Sequence, residues 1–100
     1  MKTLRAPQDC QSMAELRDQI DAIDVELIAL LAIRSGYIDR AIDLKKIENL
    51  PARTTDRVAE VLDKVSAKAS ERGLDPVLAR TLWSELIEWG IRRESVELDK

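Results

Sequence analysis

The stretch from Ser12 to Lys46 constrains this chain more than any other part of it, because no proline interrupts it and its one glycine is Gly36. Within it, Leu16, Ile20, Ile23, Leu27 and Leu30 keep a three-four spacing that places them on one face of an α-helix. Ser12 followed by Glu15 is a capping-box pattern at its start. At about 1.5 Å per residue such a helix is roughly 50 Å long, more than the width of a 100-residue globule. Its apolar stripe therefore needs a partner to cover it. Continued past Leu30, the same stripe reads Arg34, Ile38, Ala41 and Lys45, so two cations stand on the face that the first half uses for burial.

The remainder reads as two further helices. Pro51 and the residues around Asn49 break the pattern, giving a loop of roughly 47 to 53. Thr54 or Thr55 can cap a second helix whose apolar face is Val58, Val61, Leu62 and Val65, and Gly73 is placed to close it. Leu74-Asp75-Pro76 is a stop-and-start signal, with Asp75 as N-cap and Pro76 at the first helical position. The third helix carries Leu78, Leu82, Leu86 and Trp89 on one face and runs to about Val96. Nothing reads as a strand, so the expected fold is all-α with three helices, one very long. A short aperiodic tail, 1–11, precedes the helical domain, 12–100.

Composition removes most classes of function. With 45% apolar and 35% charged residues the chain has the makeup of a folded, soluble domain. Sixteen Lys and Arg against 19 Asp and Glu leave a net charge of -3, which argues against nucleic acid as a partner. There is no histidine, and Cys10 has no second cysteine. Disulfide scaffolds, zinc sites and nucleophilic triads are thus excluded, and no metal or cofactor is expected. Cys10 reads as a free surface thiol. The isolated glycines form no phosphate cradle. Lys2 and Arg5 precede no apolar segment and no run approaches a membrane span, so a cytoplasmic protein without membrane contact is expected.

What remains is a small anion site. Arg34 and Lys45 are eleven residues apart, which brings them within about 20° of each other around the helix and roughly 16 Å apart along it. A small dianion lying over Ile38 and Ala41 could be held at both ends. The plainer reading of the same spacing is that the helix simply turns to solvent at Arg34. A pocket of this kind, lacking a nucleophile, can catalyse only by positioning and electrostatic stabilisation.

Residues 16–24, Leu-Arg-Asp-Gln-Ile-Asp-Ala-Ile-Asp, followed by Leu30-Leu31-Ala32-Ile33-Arg34 and Lys45, resemble the signature of the all-helical chorismate mutases. The likeness continues through Pro51, Asp56-Arg57, Leu74-Asp75 and the third helix. It implies an intertwined homodimer of three-helix protomers with two active sites, each lined by both chains, that rearranges chorismate to prephenate. Arg17 corresponds to the arginine that enters the partner's site. Its distance of about 25 Å from Arg34 along the helix agrees with that. Arg34 and Arg57 resemble the carboxylate-binding arginines, whose forked guanidinium suits the task. Lys45 matches the lysine that donates to the ether oxygen. Ile38, Ala41, Thr54, Val58 and Gly90 fall at substrate-lining positions.

Two departures stand out. Where the family often has Gln as second donor to the ether oxygen, this chain has Glu94. An ionised carboxylate has no proton to give, so Glu94 is expected to work protonated beside the anionic ligand. At the start of the second helix, Thr54 and Val58 replace the acidic groups that hold the ring hydroxyl; Thr54 can hydrogen-bond and Val58 cannot. The segment Asp56-Arg57-Val58-Ala59, with Met1-Lys2-Thr3 and Asp9-Cys10, is similar to the isochorismate-pyruvate lyase branch of the fold, which makes salicylate and pyruvate. Isochorismate is therefore the alternative substrate. A third possibility, of another class, is a non-catalytic dimerisation or ligand-binding module, for which Glu94 and Gly90 would be the marks.

Overall fold

The computed structural model describes residues 3–99, so the Met1-Lys2 part of the N-terminal pattern lies outside it. A 3-10 turn, Pro7–Asp9, precedes three helices, α1 (Met13–Glu48), α2 (Thr55–Glu71) and α3 (Pro76–Leu98). The all-α expectation holds, and the boundaries fall within about two residues of those read from the sequence.

The ends of the helices follow from individual residues. Ser12 Oγ accepts the Glu15 amide at 3.1 Å, and Glu15 in return accepts the amide of Gln11 at 2.8 Å. The capping box therefore closes one residue early. α1 runs unbroken through Gly36 and stops at Asn49, whose φ of 57° turns the chain so that the Leu50 amide reaches the Lys45 carbonyl at 2.9 Å. α2 ends the same way. Gly73 has φ 75°, and the Leu74 amide donates to the Ala69 carbonyl at 2.8 Å. Thr54 occupies the N-cap position of α2 without making a side-chain capping bond, whereas Asp75 caps α3 by accepting the Val77 amide at 2.9 Å.

These two glycines should respond oppositely to alanine. Gly36 lies in helix with nothing within 4 Å of an added Cβ, so Gly36→Ala is expected to stabilise by about 0.5–1 kcal/mol. Gly73→Ala is expected to cost about 1–2 kcal/mol, because its backbone is left-handed. Urea unfolding midpoints of the two variants check both signs.

The chain divides into two compact units, one ending at Gly36 and one beginning at Tyr37. In the first, the residues before α1 are more structured than a tail. The Arg5 amide donates to Gln19 at 2.8 Å and its guanidinium pairs with Glu15 at 2.9 Å. Cys10 is half-buried, not a surface thiol, with Sγ 3.8 Å from the Ala6 carbonyl. No residue of α1 is buried. Ile20, Leu27 and Leu30 stay 48%, 51% and 62% exposed, so the chain leaves the apolar stripe of its longest helix uncovered.

In the second unit, residues 37–48 of α1 are joined by α2 and α3, and α2 packs on α3. Among the described residues the buried apolar side chains are small: Ala52, Ala69 and Ala79. On α3 the inward residues are Ala79, Trp83, Leu86, Ile87, Gly90 and Glu94. This corrects the face expected from the sequence, since Leu78, Leu82 and Trp89 are 46%, 48% and 39% exposed. Helices approach where side chains are small, and Ala79 and Gly90 decide which side of α3 faces inward.

Exposed ion pairs tie the surface together. Arg93 meets Asp39 and also lies over the Trp89 ring at 5.3 Å. Glu60 takes both Lys64 and Arg57, and Arg53 meets Glu88. Each acid is held below its ordinary value: Asp39 by the Arg93 hydrogen bond, Glu60 by Lys64 and then Arg57, Glu88 by Arg53, and Glu15 by the Gln11 amide and then Arg5. A lowered folded-state pKa gives stability that is present above the unfolded value and is lost as pH falls through the folded one. The urea midpoint is therefore expected to hold down to about pH 5 and to fall below the ordinary values of 4.5 for Glu and 3.8 for Asp. Asp39→Asn/Glu88→Gln should flatten that fall. Solvent screening keeps the effect small.

Among the described residues, no helix is long and apolar enough to cross a membrane, and no three potential ligands cluster as a metal site.

Candidate active site

Lys45 sits in the last turn of α1 and points into the second unit, with its side chain 16% exposed. A buried ammonium must find acceptors or lose much of its solvation energy. Two are present. Nζ donates to the Ala52 carbonyl at 2.7 Å and faces Glu94 Oε1 on α3 at 2.8 Å. Glu94, late in α3, is only 4% exposed. The Lys45–Glu94 contact is a charge pair without hydrogen-bond alignment, which leaves Oε1 buried with no aligned donor.

One turn before Glu94 stands Gly90, and two turns before Lys45 stands Ile38. A Cβ built on Gly90 would lie 3.6 Å from Ile38 Cδ1, which places α1 and α3 in contact there. Ile38 and Ala41 are half-buried, and Lys46 is exposed and faces Glu97 at 3.8 Å. Gly90 and Ile38 thus mark where α1 and α3 approach beside Lys45 and Glu94.

The structure brings together Lys45, Glu94, Ile38 and Gly90 from the residues singled out in the sequence. Thr54 and Val58 are half-buried at the start of α2. Arg57 is not turned toward Lys45's partners: it is exposed and bound to Glu60 at 2.6 Å. Arg17 is exposed and Arg34 half-buried, both in the first unit. The Ala52 carbonyl was not foreseen, since a backbone acceptor leaves no mark in a sequence. Two surface hollows, of about 520 and 480 Å³, do not enclose the pair. One is lined by Asp39, Ile42, Trp89 and the arginines beside it, and the other touches Lys45 alone.

The profile of chorismate mutase type II matches residues 16–95, which spans the whole of this arrangement. The chain belongs to that family. It is 33% identical over 92 residues to an isochorismate pyruvate lyase of Pseudomonas aeruginosa, covering 91% of this chain and 89% of that protein. It is also 29% identical over 79 residues to a 4-amino-4-deoxychorismate mutase of Streptomyces pristinaespiralis, covering 79% of this chain and 61% of that one. Both relatives act on compounds related to chorismate by their names, and neither name alone assigns the substrate of this chorismate mutase family member.

Proposed function

We propose that this protein is a chorismate mutase that works as an intertwined homodimer. The observation that carries the reading is the Lys45 ammonium, buried and fixed between the Ala52 carbonyl and Glu94. In the rearrangement, the ether C–O bond breaks as a new C–C bond forms, no atom enters or leaves, and negative charge grows on the ether oxygen. A preorganised cation binds that oxygen more strongly in the transition state than in the substrate, so it accelerates the reaction without a nucleophile. Glu94 acts as second donor in its protonated form. Arg34 and Arg57 take the carboxylates, and Thr54, Val58, Ile38, Ala41 and Gly90 line the ligand. Substrate entry requires Arg57 to exchange Glu60 for a carboxylate.

The exposed apolar side of α1 supports the homodimer. Its apolar side chains are left exposed, and contiguous apolar surface on this scale marks an interface. A second copy covers the stripe and supplies Arg17 to the site.

The alternative reading is isochorismate-pyruvate lyase, favoured by the 33% identical relative and by apolar Val58 at the start of α2. Both reactions break the same ether bond, so Lys45 serves either. Incubating the protein separately with chorismate and isochorismate and separating the products distinguishes them. Prephenate from chorismate supports the mutase, and salicylate with pyruvate from isochorismate supports the lyase. Binding of either compound without turnover at any pH would leave a ligand-binding module.

A further inference from the structure

The loop between α1 and α2 holds two interactions on neighbouring residues. Ala52, 2% exposed, offers its carbonyl to Lys45 Nζ at 2.7 Å. Arg53 sends its guanidinium to α3, where both arms meet Glu88, Nη1 to Oε1 at 2.9 Å and Nη2 to Oε2 at 2.7 Å. Glu88 lies on the same helix as Glu94, less than two turns away. The loop is thus fastened to the helix that carries the second partner of Lys45.

This matters because an ammonium has three donors and no intrinsic direction. Where its free N–H points depends on where its two fixed partners stand relative to each other. Glu94 is set by α3. The Ala52 carbonyl belongs to a segment without helical hydrogen bonds, so its position is only as firm as the contacts that hold the loop. A forked pair fixes direction as well as distance, which a single lysine contact would not. The mutual shifts agree with a formed pair, since the Glu88 hydrogen bond raises Arg53 and the Arg53 hydrogen bond lowers Glu88.

We propose that Arg53 and Glu88 are positioning residues: their forked pair holds the Ala52 carbonyl against α3 and so aims the Lys45 ammonium at the reacting oxygen. The proposal rests on the reading that Lys45 acts on an ether oxygen. Neither residue touches substrate. As an exposed pair they contribute little to stability, yet a misplacement of about 1 Å in a catalytic group can cost on the order of a hundredfold in rate.

The test uses the intact protein and the variants Arg53→Gln, Glu88→Gln, Arg53→Lys and the exchange Arg53→Glu/Glu88→Arg. Both Gln variants are expected to lower kcat about five- to twentyfold with KM within about twofold, while thermal midpoints stay near the parent's. Arg53→Lys should recover part of the loss and the exchange most of it. Independently of turnover, the Lys45 ammonium resonance in nitrogen-15 NMR, assigned by its loss in Lys45→Met, should be observable in the parent, broaden in Arg53→Gln and return in the exchange. An unchanged kcat in both Gln variants, or an unchanged Lys45 resonance, would overturn the proposal while leaving Lys45's own role intact. If Lys45→Met instead keeps full turnover, the reading of the site fails, and the resonance still decides whether the pair orients the ammonium.

Discussion

Replacing Lys45 by methionine is expected to lower kcat/KM by about 10²–10³, the usual cost of removing one preorganised donor from a developing oxyanion. The same change has a second, separable effect. Lys45 is the cation that faces a carboxylate only 4% exposed, so its loss leaves Glu94 buried and uncompensated. Breaking one side of a buried pair costs about 3–5 kcal/mol, a large share of the roughly 5–15 kcal/mol that holds a domain folded. A loss of activity in Lys45→Met alone could therefore be a loss of fold. The double variant Lys45→Met/Glu94→Gln separates the two, because it removes both charges. It is expected to recover most of the urea midpoint, while its turnover stays far below that of Glu94→Gln alone. Retention of turnover in the double variant would show that the ammonium does not act on the reaction.

The part of this architecture that was legible in the sequence is the part fixed by neighbours. Ser12, Gly73 and Asp75 mark helix ends because capping depends on residues one to four positions away, and the structure uses all three. The long helix was legible because nothing breaks it. The inward face of α3 was not, because hydrophobic pattern favours Leu78 and Leu82 over Ala79 and Gly90, whereas close packing favours the small residues. Leu78, Leu82 and Trp89 keep their exposure. Glu94 is the clearest case of a residue that pattern alone would misplace. A carboxylate late in a helix reads as solvated, and only the family resemblance marked it. Its burial becomes intelligible once Lys45 is seen 2.8 Å away, on a helix end 49 positions earlier in the chain. Arg57 shows the opposite limit: its type and position matched a carboxylate site, and its guanidinium is spent on Glu60, one helical turn along.

Glu94→Gln is expected to raise kcat/KM at pH 8 by about tenfold or more and to abolish most of the dependence of rate on pH. In the ligand-free protein Glu94 faces an ammonium, and a carboxylate is the form that suits this pairing. A bound dianion changes the balance, because it brings its own negative charge to Lys45 and builds more on the ether oxygen during reaction. Glu94 then helps only if it carries a proton. On the proposed role only a protonated side chain can donate, so the rate of the parent is expected to improve toward acid. An amide keeps its N–H at every pH, so the variant is expected to donate to the same oxygen across the range. The measurement is kcat/KM from about pH 5 to 8 for both proteins, with unfolding midpoints alongside, since Lys45 loses its countercharge in the variant. Parallel profiles for the two proteins would remove Glu94 from the chemistry and leave Lys45 as the donor on which the reaction depends.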